Sequence, residues 1–144
     1  MKSLIQIKDL SIGFISDNKY HQATESVGLC IEHGKTLGIV GESGSGKSVT
    51  ALSILRLLPA AAKIDSGEIL FSDKDDNTSN LLKISNKDIQ KIRGNKIGMI
   101  FQEPMTSLNP VMKCGKQVIE SMILHLGHTF KEAKQRTLEL FNEV

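Results

Sequence analysis

Residues 36–55 read TLGIVGESGSGKSVTALSIL, and three kinds of chain follow one another in that stretch. TLGIV is an apolar run of strand character, GESGSGKS fits G-x-x-x-x-G-K-[ST], and VTALSIL continues as an apolar helix. A strand, a glycine loop and a helix in this order form an anion cradle. The glycines let backbone N–H groups turn inward, and the helix directs the positive end of its dipole at the same point. The predicted phosphate-binding residues are Gly41, Glu42, Ser43, Gly44, Ser45, Gly46, Lys47, Ser48 and Val49. Lys47 is placed to reach the β and γ phosphates of a nucleotide such as ATP, and the Ser48 hydroxyl is placed on the accompanying Mg²⁺. A glycine-rich turn that matches by accident is the alternative, and the flanking runs argue against it.

Composition narrows the class without adding a function. The chain has 144 residues, 40% of them apolar and 24% charged, which suits one globular domain. Its net charge of +2 is small and its basic residues alternate with acidic ones, so no nucleic-acid partner is expected. The longest apolar stretch, residues 51–62, is interrupted by Arg56 and Pro59 and is too short to span a bilayer. The start, MKSLIQIKDL, lacks the apolar core of a signal peptide, and a cytosolic location is expected. Cys30 and Cys114 are isolated thiols, as in a reducing compartment.

Partial alternation over residues 4–14 and 26–32 predicts two antiparallel strands, with a polar loop over 15–24 between them. A short strand is expected at 67–71, a solvated loop at 73–80, an extended run at 81–84 and a short helix from Ser85 to about Gly94. KIGMIF, residues 96–101, has the character of a buried strand, and Pro104 and Pro110 bracket a non-helical loop. Two amphipathic helices follow. The first carries Val118, Ile119, Met122, Ile123 and Leu126, and the second Phe130, Ala133, Thr137, Leu138 and Phe141.

Some apparent sites weaken on inspection. Asp73, Asp75 and Asn77 begin like a calcium loop, but Thr78 and Ile84 stand where glycine and glutamate are needed. His125 and His128 sit three apart on the expected helix with no third ligand, so surface histidines are the better reading. Met99, Met105, Met112 and Met122 read as gap-fillers. The strand KIGMIF delivers Gln102 and Glu103 at its end, where a phosphate-loop enzyme needs a Mg²⁺ ligand. The amide oxygen of Gln102 can contact Mg²⁺ and water, although it supplies no negative charge.

Taken together, VGESGSGKSVTALSILRLLP (40–59) and RGNKIGMIFQEPMTSLNP (93–110) resemble the nucleotide-binding domain of ABC transporters. The likeness is to the oligopeptide, dipeptide and nickel import subfamily, especially the Yej-type microcin C and oligopeptide importer ATPases and then the glutathione importer ATPase. It extends over essentially the whole chain. It implies an α/β fold, a P-loop NTPase core with an N-terminal antiparallel β subdomain. The implied divisions are residues 1–34 for that subdomain, 35–103 for the core and 104–144 for the start of a helical subdomain.

The same resemblance makes 41–48 the Walker A loop and Gln102 the Q-loop glutamine. It implies an aromatic residue stacked on adenine, with Phe14 in the expected place and Tyr20 the alternative. The implied partners are inner-membrane permease subunits, a second nucleotide-binding domain in a head-to-tail dimer and, indirectly, a periplasmic solute-binding protein. The implied location is peripheral, on the cytoplasmic side of the inner membrane. The implied activity is ATP hydrolysis coupled to uptake of peptide-like solutes.

No LSGGQ-type signature, acidic strand end or switch histidine occurs in the 144 residues. The resemblance therefore makes this an N-terminal fragment, expected to bind nucleotide without completing hydrolysis and to be marginally stable or to associate. The competing readings are an inert or split-gene product and another P-loop NTPase, although no N-K-x-D or kinase lid pattern is present.

Overall fold

The alternation over residues 4–14 and 26–32 forms the expected antiparallel pair and runs further than the pattern foretold. The computed structural model describes residues 3–73, 77–102 and 108–144. Strand β1 (Ser3–Ser16) lies against β2 (Lys19–Glu32), with Ser16 opposite Lys19. Asp17 and Asn18 alone make the turn, at φ 51° and 57°. Two consecutive left-handed residues match the right-handed strand twist, and Asp and Asn are the side chains that accept that conformation. The loop expected over 15–24 is thus corrected to a tight hairpin. Its polar composition reflects the solvent exposure of the outer strand rather than an absence of pairing.

Strand β3 (Ala62–Ser72) pairs with the other edge of β1, and β4 (Thr78–Asn80) pairs with β3, giving the order β2-β1-β3-β4. The central position of β1 explains why Ile5, Ile7, Leu10 and Ile12 are buried, together with Ile69 and Phe71 of β3. Residues 81–84, expected to be extended, instead turn. The Asn80 carbonyl accepts from Lys83 N and its side-chain oxygen from Leu82 N at 3.1 Å, so the local Asn bonds win over a strand ladder. Helix α2 (Asn86–Ile92) starts as predicted at Ser85, whose hydroxyl accepts from Asp88 N at 3.2 Å.

Two expected strands are not formed. Residues 35–41 and 98–101 have no regular structure, and Val40 and Ile100 are 94% and 98% exposed. An apolar run of this kind becomes a parallel strand only between neighbours that pair with both its edges and cover both its faces. Among the described residues the contact available is an isolated bridge between Arg93 and Ile97.

The chain divides into two compact units, Met1–Ile89 and Gln90–Val144. The first holds the sheet and helix α1 (Lys47–Ile54). In the second, α3 (Cys114–Leu126) and α4 (Phe130–Glu143) pack through Ile119, Met122 and Ala133. Gly127 closes α3 at φ 67°, so His128 lies beyond the helix rather than one turn after His125 on it. No helix among the described residues is long and apolar enough to cross a membrane.

Helix α4 opens on a reciprocal cap. The Glu132 carboxylate accepts from Thr129 N and Thr129 Oγ1, both at 2.8 Å, and Thr129 Oγ1 accepts from Glu132 N. The Thr129 backbone N–H first, and then its hydroxyl, hold the Glu132 carboxyl below the usual carboxylate range. A depressed folded value gives a contribution that is complete above the unfolded value and is lost as pH falls through the folded one. An acid titration followed by NMR is therefore expected to loosen the Thr129 amide below the ordinary glutamate range. Glu132→Gln keeps an acceptor and should remove that pH dependence; an unchanged titration in the variant would refute the assignment.

Candidate functional site

Helix α1 starts on Gly46, which is buried and left-handed at φ 84° and supplies no side-chain cap. The first helical bonds are received by Gly46 O, from Thr50 N and Thr50 Oγ1, each at 2.9 Å. The N–H groups of Lys47, Ser48 and Val49 therefore stand at the open end of the helix, where an anion is the natural partner. Thr50 and Ser53 are buried and bond back to the helix itself, with Ser53 Oγ donating to Thr50 O at 2.6 Å. These bonds satisfy hydroxyls that would otherwise be orphaned under the loop.

Lys47 folds back across the loop. Its Nζ donates to Gly41 O at 2.8 Å, Glu42 O at 2.6 Å and Ser45 Oγ at 3.1 Å. Three donors and three oxygens place the ammonium inside the curve made by residues 41–46, the position from which a phosphate oxygen could take over those bonds. The Ser48 side chain is exposed on the first turn of α1. A hydroxyl oxygen open to solvent beside an anion cradle fits Mg²⁺, which keeps most of its water and takes few protein ligands.

The hairpin holds the loop from the side. Thr24 of β2 is 7% exposed, and a Cβ on Gly46 would lie 2.4 Å from Thr24 Cγ2 and 3.0 Å from Ala23 O. No sequence signal marked Thr24, since it fell in a stretch read as a polar loop.

Register separates the two aromatic candidates. Cross-strand partners share a face and successive residues alternate. Ile12 pairs with Thr24, so Phe14, two residues on along a regular part of the β1–β3 ladder, shares the face that carries the loop. Tyr20 lies over Gly13, on the opposite face, where a Cβ on Gly13 would fall 2.2 Å from its ring. Its hydroxyl donates to Asp65, which also pairs with Lys63 at 3.3 Å. That hydrogen bond is the main cause that raises the Tyr20 phenol and lowers the Asp65 carboxyl from their ordinary values. Phe14 is half-buried with no such tether.

Gln102 is exposed at the end of KIGMIF, in the second unit. Glu103 and the following residues 104–107 lie outside the described residues, as does Asp75 of the apparent calcium pattern. No group of three or more metal-ligating side chains occurs among the described residues.

A family model described as ABC transporter matches residues 24–144. The chain belongs to the ABC transporter family. Among the curated proteins that this ABC transporter chain resembles is the oligopeptide transport ATP-binding protein OppD of Bacillus subtilis, 46% identical over 142 residues, 98% of this chain and 38% of OppD. The peptidoglycan transport ATP-binding protein YejF of Agrobacterium fabrum is also 46% identical, over 98% of this chain and 25% of YejF. A solved dimer of the ATP-binding cassette MJ0796, bound to ADP and Pi, superposes with a TM-score of 0.76 at 26% identity, covering 94% of this chain and 54% of that one. The ABC transporter fold expected from the sequence is thus shown, and the chain spans well under half the length of these curated relatives.

Proposed function

We propose that this chain is the ATP-gripping part of an importer ATPase for oligopeptides or peptide-like solutes. The observation that carries the reading is the Lys47 ammonium held among Gly41 O, Glu42 O and Ser45 Oγ at the open end of α1. Residues 41–49 cradle the phosphates, Lys47 bonds their terminal oxygens, and the Ser48 hydroxyl is the Mg²⁺ contact on this unit, while Gln102 of the second unit keeps the Mg²⁺ and water role that the resemblance implies for it. A Mg²⁺ ion held there would supply positive charge against the phosphates. The names of the relatives support the solute class, and the dimeric likeness supports a second nucleotide-binding domain. Permease subunits, an indirectly coupled solute-binding protein and a peripheral place on the inner membrane belong to the same proposal.

A calorimetric titration with Mg-ATP tests it. Saturable one-to-one binding that weakens when magnesium is removed is expected; no saturable binding would overturn the reading.

Phe14 is assigned the adenine platform, because it shares a face with Ile12 and Thr24 while Tyr20 is tied to Asp65 on the other. Stacking of one base on an aromatic ring is worth about 1–3 kcal/mol. Phe14→Ala should therefore weaken ATP by about fivefold to a hundredfold while leaving inorganic tripolyphosphate unchanged, and Tyr20→Phe should leave both unchanged. A larger ATP loss in the Tyr20 variant than in the Phe14 variant would reverse the assignment.

A further inference from the structure

Thr24 performs two tasks with one side chain. A register irregularity in the β1–β2 pair falls on either side of Ile12. The Ile12 N–H is taken by Thr24 Oγ1 at 3.1 Å, in a buried bond. With Oγ1 fixed in this way, the Thr24 methyl stands against the phosphate loop, 2.4 Å from the point a Gly46 Cβ would occupy. The same strand carries His21 opposite Phe14, three residues from Thr24. The hairpin tip and the phosphate loop are therefore linked by one short run of paired strand and one side chain.

We propose that Thr24 is a positioning residue that fixes the phosphate loop relative to the Phe14 end of the hairpin, so that one nucleotide can reach both. This rests on the nucleotide-binding reading given above. The reason lies in geometry: a nucleotide joins its base and its phosphates at a set separation, and each end loses affinity when the other is displaced. A ligand with phosphates and no base makes no such demand.

The test compares Mg-ATP with magnesium tripolyphosphate, using the chain with Thr24, Thr24→Val and Thr24→Ser. Valine keeps the bulk against Gly46 and leaves the buried Ile12 N–H without its acceptor, a loss that is felt locally. Thr24→Val should weaken ATP about tenfold, with tripolyphosphate within about twofold. Thr24→Ser keeps the acceptor and loses the methyl, so a selective ATP loss of about threefold is expected, measurable even if the valine variant fails to fold. Equal losses for both ligands, or no loss for either, would overturn the proposal. A chain with Thr24 that binds neither ligand would overturn the nucleotide reading itself, and this inference with it.

Discussion

Lys47→Ala is expected to abolish measurable Mg-ATP binding while leaving the fold intact. The substitution removes the one ammonium at the centre of the loop, where Nζ meets three oxygens within 3.1 Å. Bonds from a charged donor contribute about 1.5–3 kcal/mol each, so losing two to phosphate oxygens corresponds to roughly a hundredfold or more in affinity. Lys47→Arg should rescue little, because a planar guanidinium is not a compact point charge and does not fit a curve closed on two carbonyls. Helix α1 should persist in both variants, since its first bonds run from Thr50 to Gly46 O and do not use the lysine side chain. Calorimetry and circular dichroism check the two halves of the statement. Affinity unchanged in Lys47→Ala would mean that the loop is not the phosphate site.

Gly46→Ala should cost both binding and stability. The position combines a left-handed φ of 84° with a wall: Thr24 Cγ2 at 2.4 Å and Ala23 O at 3.0 Å from the added carbon. The methyl cannot swing aside without breaking the bond from Ile12 N to Thr24 Oγ1, and Ala23 O is backbone. The backbone conformation costs an L residue about 1–2 kcal/mol and overpacking about 1–3 kcal/mol, so a destabilisation of roughly 2–5 kcal/mol is expected. Gly44 provides the contrast. It is also left-handed, at φ 82°, but nothing lies within 4 Å of an added Cβ. Gly44→Ala should therefore cost only the backbone share, about 1–2 kcal/mol. Thermal unfolding of the two variants side by side checks this, and equal losses would show that Thr24 does not confine the loop.

The parts of the molecule legible in the sequence are those governed by local chemistry. The loop at 41–48, the start of α2 at Ser85 and the two amphipathic helices each depend on residues close together in the chain. What the sequence misjudged depends on distant partners. The 15–24 stretch looks like a loop because its side chains are polar, yet its backbone pairs across the hairpin through a two-residue turn. The runs at 36–40 and 96–101 look like strands because they are apolar, yet among the described residues no neighbours pair with them as a sheet requires. Phe14 and Tyr20 could not be separated by pattern alone. The pairing of Ile12 with Thr24, and the contact of Tyr20 with Gly13 and Asp65, place them on opposite faces. Thr24 carried no signal at all, because its role exists only where β2 passes Gly46.

The claim that residues 41–48 hold the phosphates, with Phe14 beneath the base, is tested most directly by amide NMR of the labelled chain during titration with Mg-ATP. Saturable shifts are expected, concentrated in the amides of residues 41–49 and at the Phe14 end of the hairpin, with those of β4 at Thr78–Asn80 unmoved. Saturable shifts that leave residues 41–49 unmoved would contradict it.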